Sequence, residues 1–326
     1  METTLVGVWR FMDTTHVSVW RSKMKHFLSI IDCPKDQLKE LLRISNRLKS
    51  LYSVGGNDFC LQGKTLAMLF EKPSLRTRIS FQVAMADLGG SAIYVKPEDI
   101  GGIGKREPIK DMARVLSRYV KGIMARTFEH KTVTELAEFA TVPVINALTD
   151  FSHPCQAMAD VLTIGEYRED IEGTKIAFIG DGNNVARSLA FASAKLGMKM
   201  VVASPAGYEL DAETIEKANQ ISADSIRQTN DPGAAVLDAD IIYTDTWVSM
   251  GQEDEKQKRQ ADFAGFQVNA ELVKSAPANV KIMHCLPAYR GLEITDEVIE
   301  SPNSIMFDQA ENRLHFQRAL LKKLLS

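Results

Sequence analysis

The four cysteines of this 326-residue chain, Cys33, Cys60, Cys155 and Cys285, include no C-x-x-C pair. So few scattered thiols in a chain of this length exclude a disulfide scaffold and indicate a reduced, cytoplasmic protein. The six histidines form no H-x-x-x-H or similar cluster, so no metal is expected. No apolar run approaches the ~18 residues of a membrane span. Arg10 and Asp13 break up the apolar stretch 5–9 too early for a signal-peptide core. Charge of one sign is lacking too: Lys plus Arg number 39 and Asp plus Glu 42, a net charge of −3. That balance excludes a general binder of nucleic acid or acidic membrane, while leaving room for a local cationic pocket.

What is present is ordinary globular material, with 45% hydrophobic and 25% charged residues. The length is enough for two domains, each with its own core. Residues 1–23 alternate Thr, Val and Trp loosely, with no helical period and no turn chemistry, and read as a tail. From Asp32 onward, helix and strand signals alternate. Leu38, Leu41, Leu42, Leu48 and Leu51 follow the 3–4 spacing of one buried helix face. Strands are expected at 64–70, 91–95, 122–125, 142–145, 175–179, 198–203, 241–244 and 281–285. Helices are expected at 76–88, 109–119, from 132, at 184–196, 212–221 and 314–325. This alternation specifies an α/β fold of two domains, each a mainly parallel sheet covered by helices on both faces and joined near residues 148–152.

Ligands of open α/β sheets bind beyond the carboxyl ends of strands, and the unusual residues stand there. Ser74-Leu75-Arg76-Thr77-Arg78 runs straight into a helix. Unpaired N–H groups, the positive end of the dipole, two hydroxyls and two guanidiniums make an anion site suited to phosphate. Two arginines in a first turn oppose the dipole, which a helix built only for stability would avoid. Arg126 ends an apolar strand. His153 and Gln156 stand about one turn apart at the start of another helix, and His153 taken singly reads equally well as a satisfied core histidine. Gly180-Asp181-Gly182-Asn183-Asn184 is a weak match to a dinucleotide fingerprint, with no acidic ribose partner after the next strand at 203–205. Its paired asparagines suit a small zwitterion better. Asp245 can accept from an ammonium group, and Ser249-Met250-Gly251 reads as a loop able to close over it. Cys285-Leu286-Pro287 follows a strand, and Arg313 adds a cation near the last helix.

Jointly, these segments resemble the aspartate/ornithine carbamoyltransferase family over about residues 24–326. His153-Pro154-Cys155-Gln156 and residues 74–78 match its carbamoyl-phosphate signatures. Asp245 with Ser249-Met250-Gly251, and His284-Cys285-Leu286-Pro287, look like the ornithine branch. The resemblance implies a first domain (24–150, joined by a closing helix 310–326 that returns to it) that binds carbamoyl phosphate, and a second (151–309) that binds L-ornithine. It implies catalytic trimers with active sites at subunit boundaries and no cofactor. Carried over, Ser74, Leu75, Arg76 and Thr77 cradle phosphate. Arg126, His153, Pro154, Cys155 and Gln156 meet the carbamoyl group with Cys285, Leu286 and Arg313. Asn184, Asp245, Ser249 and Met250 hold ornithine, and Arg126, His153, Asp245 and Cys285 carry catalysis. Asp245 is expected at the α-ammonium group and Cys285 nearer the reacting amine.

Two positions depart from the pattern. Many members have Thr where this chain has Leu75, a place that can donate through its backbone N–H. The loop 99–106 lacks the Gln or His that relatives send into the neighbouring subunit, leaving Lys105 and Arg106 as candidates. The alternatives are a sister carbamoyltransferase acting on putrescine or N-acetylornithine and, further off, an NAD-dependent dehydrogenase built on residues 180–182.

Overall fold

A computed structural model describes residues 24–248 and 253–326. The tail expected at 1–23, and Ser249 and Met250, lie outside the described residues. Among those described, two sheets form. In the first, β1 (Thr65–Phe70), β2 (Ser91–Val95), β3 (Gly122–Arg126) and β4 (Val144–Leu148) take the order β2-β1-β3-β4. In the second, β5 (Lys175–Ile179), β6 (Lys199–Ala203), β7 (Ile226–Thr229), β8 (Ile241–Thr244) and β9 (Lys281–His284) take the order β7-β6-β5-β8-β9. Each pairing within these sheets is parallel.

Alternate residues of the central strands feed different cores, as a strand's period of two requires. In β1, Leu66, Met68 and Phe70 pack with Phe81 and Phe316, while Ala67 and Leu69 pack with Met112, Val133 and Leu136. In β5, Ile176 and Phe178 join Leu189, while Ala177 and Ile179 join Val236 and Phe263. Both sheets are therefore covered on both faces, which is why these strands read as continuous apolar runs.

The Met306–Leu325 helix packs on the Lys35–Ser53, Leu75–Asp87 and Pro154–Tyr167 helices, returning the end of the chain to the first domain. Phe316 meets Phe27 with ring centroids 5.8 Å apart. This helix starts at Met306 rather than at the expected Leu314. Its first turns carry Gln309, Asn312 and Arg313, all buried; polar residues facing inward hide the apolar period. The edge strand β7 escaped the sequence reading because Arg227 and Gln228 stand exposed in a four-residue run. β4 lies at Val144–Leu148 instead of 142–145, with Phe27 N–H donating to the Val144 carbonyl at 2.9 Å. No helix of the described residues is long and apolar enough to cross a membrane.

Candidate active site

The ends of β1, β3, β8 and β9 converge on one cavity of about 480 Å³, lined by both halves of the chain. That volume lies in the range of small-molecule sites. On the first wall, Ser74 caps the Leu75–Asp87 helix, its Oγ accepting from Thr77 N–H at 3.3 Å. The helix N-terminus thus opens on the cavity with Arg76 half-buried and Thr77 buried. Leu75 is 73% exposed, so only its backbone N–H is placed to serve an anion. Arg78 turns away and lies 4.0 Å over the Tyr94 ring.

Arg126 enters where the β3–β4 register slips between Ala125 and Arg126, an irregularity of the kind that re-aims a side chain. It is buried, its Nε without a hydrogen-bond partner among the described residues. Burial, then Arg313 and Arg76, bring its guanidinium down to about 10, so it stays charged near neutrality. His153 is held by a bond from its N–H to Ser188 Oγ at 2.8 Å. Burial and the nearby Arg313 and Arg126 hold its imidazole well below the usual range, which makes it a neutral donor or acceptor. Its Nδ1 has no partner among the described residues.

Gln156 Oε1 accepts from Arg313 Nη1 at 2.6 Å, and Arg313 Nη2 reaches Thr77 Oγ1 at 3.4 Å. A residue near the end of the chain thus ties together the starts of two helices from the first half. Pro154 and Cys155 do not line the cavity. The Cys155 thiol turns into the core toward the Asn146 carbonyl at 3.5 Å, and burial pushes it up to about 12.

From the second half of the chain, Asn184, Asp245, Cys285 and Leu286 line the same cavity. Asp245 Oδ2 accepts from Asn183 Nδ2 at 2.9 Å, and Oδ1 accepts from Thr246 N–H and from the Cys285 thiol, both at 2.8 Å. Burial and Asp245 push that thiol well above its ordinary value, so Cys285 is a neutral S–H. Asp245, His284 and Cys285 bring ligand-type atoms within 4.8 Å of one another. Each is already engaged, for His284 Nδ1 accepts from Leu286 N–H at 2.8 Å and Nε2 faces Glu293 at 3.1 Å. Leu286 itself takes φ +57° before a cis peptide to Pro287.

The glycines at 180–182 have a structural explanation. A Cβ on Gly182 would stand 2.2 Å from the backbone nitrogen of Leu210, so the close approach of the chain's own backbone requires glycine there. Asp181 pairs with Arg259 at 2.8 Å, and Asn183 Oδ1 caps the following helix by accepting from Val185 and Ala186 N–H. Sequence reasoning missed Asn183 as the support of Asp245. It also missed Asp160 and Gln309 behind Gln156, although Gln156 and Asp160 stand four apart on one helix, a spacing at which such pairs meet.

Residues 25–166 match the family model described as aspartate/ornithine carbamoyltransferase, carbamoyl-P binding domain, and residues 172–324 match its Asp/Orn binding domain. The chain is 52% identical over 302 residues to an ornithine carbamoyltransferase of Archaeoglobus fulgidus, covering 93% of this chain and 98% of that one. Among solved structures, an ornithine carbamoyltransferase from Pyrococcus furiosus is similar with a TM-score of 0.90 and 52% identity, over 92% of this chain and 97% of that one. The counterpart from Thermus thermophilus has a TM-score of 0.84 and 44% identity, over 93% and 99% of the two chains.

Proposed function

The chain belongs to the aspartate/ornithine carbamoyltransferase family, and on that premise we propose that it transfers the carbamoyl group of carbamoyl phosphate to the side-chain amine of L-ornithine, giving L-citrulline and phosphate. The observation that carries this reading is that one cavity is lined both by Arg76, Arg126, Arg313 and a helix N-terminus, a cationic cup for a phosphorylated donor, and by Asn184, Asp245 and Cys285, which bring a carboxylate for an ammonium group.

In this reading Ser74, the Leu75 N–H, Arg76 and Thr77 take the phosphate. Arg126, His153 and Thr77 donate to the carbonyl oxygen, whose negative charge grows as the amine attacks. Gln156 meets the carbamoyl amine, with Arg313 and Leu286 beside it. Asn184 and Asp245, with Ser249 and Met250, hold ornithine. The new N–C bond forms, the C–O bond to phosphate breaks, and phosphate leaves with the electron pair as the ammonium proton is lost. Holding both reactants in line supplies much of the acceleration.

An alkyl ammonium of pKa about 10.4 is uncharged in only roughly one molecule in 10³ at pH 7. The guanidiniums of the first wall favour the neutral amine by repulsion. Cys285, a neutral thiol, acts as a polar contact near that amine and not as a nucleophile; Asp245 takes the α-ammonium group.

The division of labour runs broadly with the two sheets, residues 24–150 and the closing helix serving carbamoyl phosphate and 151–309 serving ornithine, except that His153, Gln156 and Leu286 reach from the second segment to the carbamoyl donor. A homotrimer is part of the proposal, supported by the apolar Leu75, Ile79 and Ile93 exposed on the Leu75–Asp87 helix and the edge strand β2. We further place the protein in the cytoplasm and in arginine biosynthesis; a Pyrococcus furiosus relative 52% identical to this chain is named "Ornithine carbamoyltransferase, anabolic". The deciding assay offers carbamoyl phosphate with ornithine, putrescine or N-acetylornithine in turn. Product with ornithine alone is expected; preference for either other amine overturns the assignment.

A further inference from the structure

Behind Gln156 lies a carboxylate that the proposed reaction does not use. Asp160 is fully buried on the Pro154–Tyr167 helix. Its Oδ1 accepts from Gln156 Nε2 at 2.8 Å and from Gln309 Nε2 at 2.7 Å, and its Oδ2 accepts from the Tyr243 hydroxyl at 3.2 Å. Beyond these partners, Gln156 Oε1 accepts from Arg313 at 2.6 Å, and Gln309 Oε1 accepts from His284 N–H at 2.9 Å.

A glutamine amide has a donor end and an acceptor end of nearly the same shape, so its neighbours decide which one a ligand meets. A guanidinium only donates, so Arg313 requires Gln156 Oε1 on its side. A backbone N–H only donates, so His284 requires Gln309 Oε1 and turns the Gln309 –NH₂ onto Asp160. Asp160 Oδ1 is therefore an acceptor, and the Gln156 –NH₂ is bound to face it. Burial lifts Asp160 to about 7. Oδ1 already accepts from two amide groups and is the poorer place for a proton, so it keeps its role as acceptor. Gln156 lines the cavity, and its Oε1 has a second lone pair. Arg126, which lines the same cavity, only donates, and the Thr77 oxygen already accepts from Arg313, so Gln156 Oε1 offers the group an acceptor.

We propose that Asp160 is a positioning residue for donor selection: by locking the Gln156 amide it keeps an acceptor facing the amino group of the carbamoyl donor, so that the site selects a carbamoyl phosphate over an acyl phosphate of the same shape. This rests on the reading that the cavity takes carbamoyl phosphate. Acetyl phosphate is the natural probe, because it replaces the amino group with a methyl and keeps the carbonyl and phosphate. A merely structural role of Asp160 would weaken both ligands together.

The experiment measures, on the full chain, the KM for carbamoyl phosphate and the inhibition constants of acetyl phosphate and inorganic phosphate in citrulline formation. Asp160→Ala should reduce the preference for carbamoyl over acetyl phosphate about tenfold, with phosphate inhibition unchanged. Asp160→Asn, whose Oδ1 still accepts from both amides, should keep the preference within about twofold. Asp160→Ser leaves a small polar group but draws its oxygen away from both amides, and gives the same reading if the alanine variant fails to fold. In a Gln156→Ala background, Asp160→Ala should change the preference no further. Parallel weakening of all ligands, or an unchanged preference in both Ala and Ser variants, overturns the proposal. Absence of citrulline formation by the unmodified protein would instead overturn the function itself, so the two failures are told apart.

Discussion

The thiol of Cys285 donates to Asp245 Oδ1 at 2.8 Å in the cavity that Arg76, Arg126 and Arg313 also line. The carboxylate raises the thiol's affinity for its proton, and the thiol occupies one lone pair of the carboxylate. Cys285 should therefore resist iodoacetamide at pH 8, where an ordinary thiol of pKa about 8.5 is partly ionised. Mass spectrometry of the intact protein checks this, and rapid labelling of Cys285 would show that the contact does not hold in solution.

The two walls should separate under mutation. Arg76→Ala removes a charged donor from the helix N-terminus and should weaken carbamoyl-phosphate binding about 10- to 100-fold. Asp245→Asn should raise the KM for ornithine by a similar factor while leaving carbamoyl-phosphate binding intact. Calorimetry with carbamoyl phosphate on both variants tests the pair; equal binding in Arg76→Ala and the unmodified protein would remove Arg76 from the anion site.

Activity under saturating substrates should climb between about pH 7 and 9 as the ornithine amine loses its proton. His153 does not interfere, because burial holds it neutral throughout that window. A flat profile would contradict attack by a free amine.

Stability should fall on mild acidification. Burial, then Lys25, lowers His26 from 6.5 to about 4, and its Nδ1 accepts from Val144 N–H at 3.0 Å. The unfolded chain binds the proton first, so this contribution is complete above pH 6.5 and is lost as pH falls toward 4. Allowing for solvent at this half-buried position, about 2 kcal/mol is involved. Urea titrations at pH 7 and pH 5 should differ less for His26→Asn than for the unmodified protein.

Gly182→Ala should destabilise the second domain by about 1–3 kcal/mol or more, because the added methyl would meet the backbone of Glu209 and Leu210 at 2.2 to 2.6 Å. Neither neighbour is a flexible side-chain end. A thermal melt unchanged by this substitution would mean that the 205–210 segment does not pack where it is placed.

Most of the first wall was legible in the sequence because a helix start is a local matter. Ser74 caps its own helix, and Arg76 and Thr77 follow within one turn. The strands of both sheet centres were legible for a similar reason: burial on both faces leaves only apolar residues to read. β7 and the first turns of the closing helix were not, since exposed polar residues mark one and buried polar residues the other. The support of Asp245 by Asn183, and the meeting of Asp160 with Gln309, join residues 62 and 149 positions apart. No local pattern carries such pairings.

The order of residues alone picked out the segments from which the cavity is lined, because strand ends and helix starts are written in neighbouring letters, though Pro154 and Cys155 turned out not to line it. Their protonation and orientation were decided by the fold. His153 is neutral, Cys285 keeps its proton, and Gln156 turns its oxygen to Arg313 because each is stripped of water and faced by a particular donor, cation or carboxylate. Desolvation and hydrogen-bond polarity depend on what surrounds a group in space, and the surroundings exist only once the distant halves of the chain have closed around it.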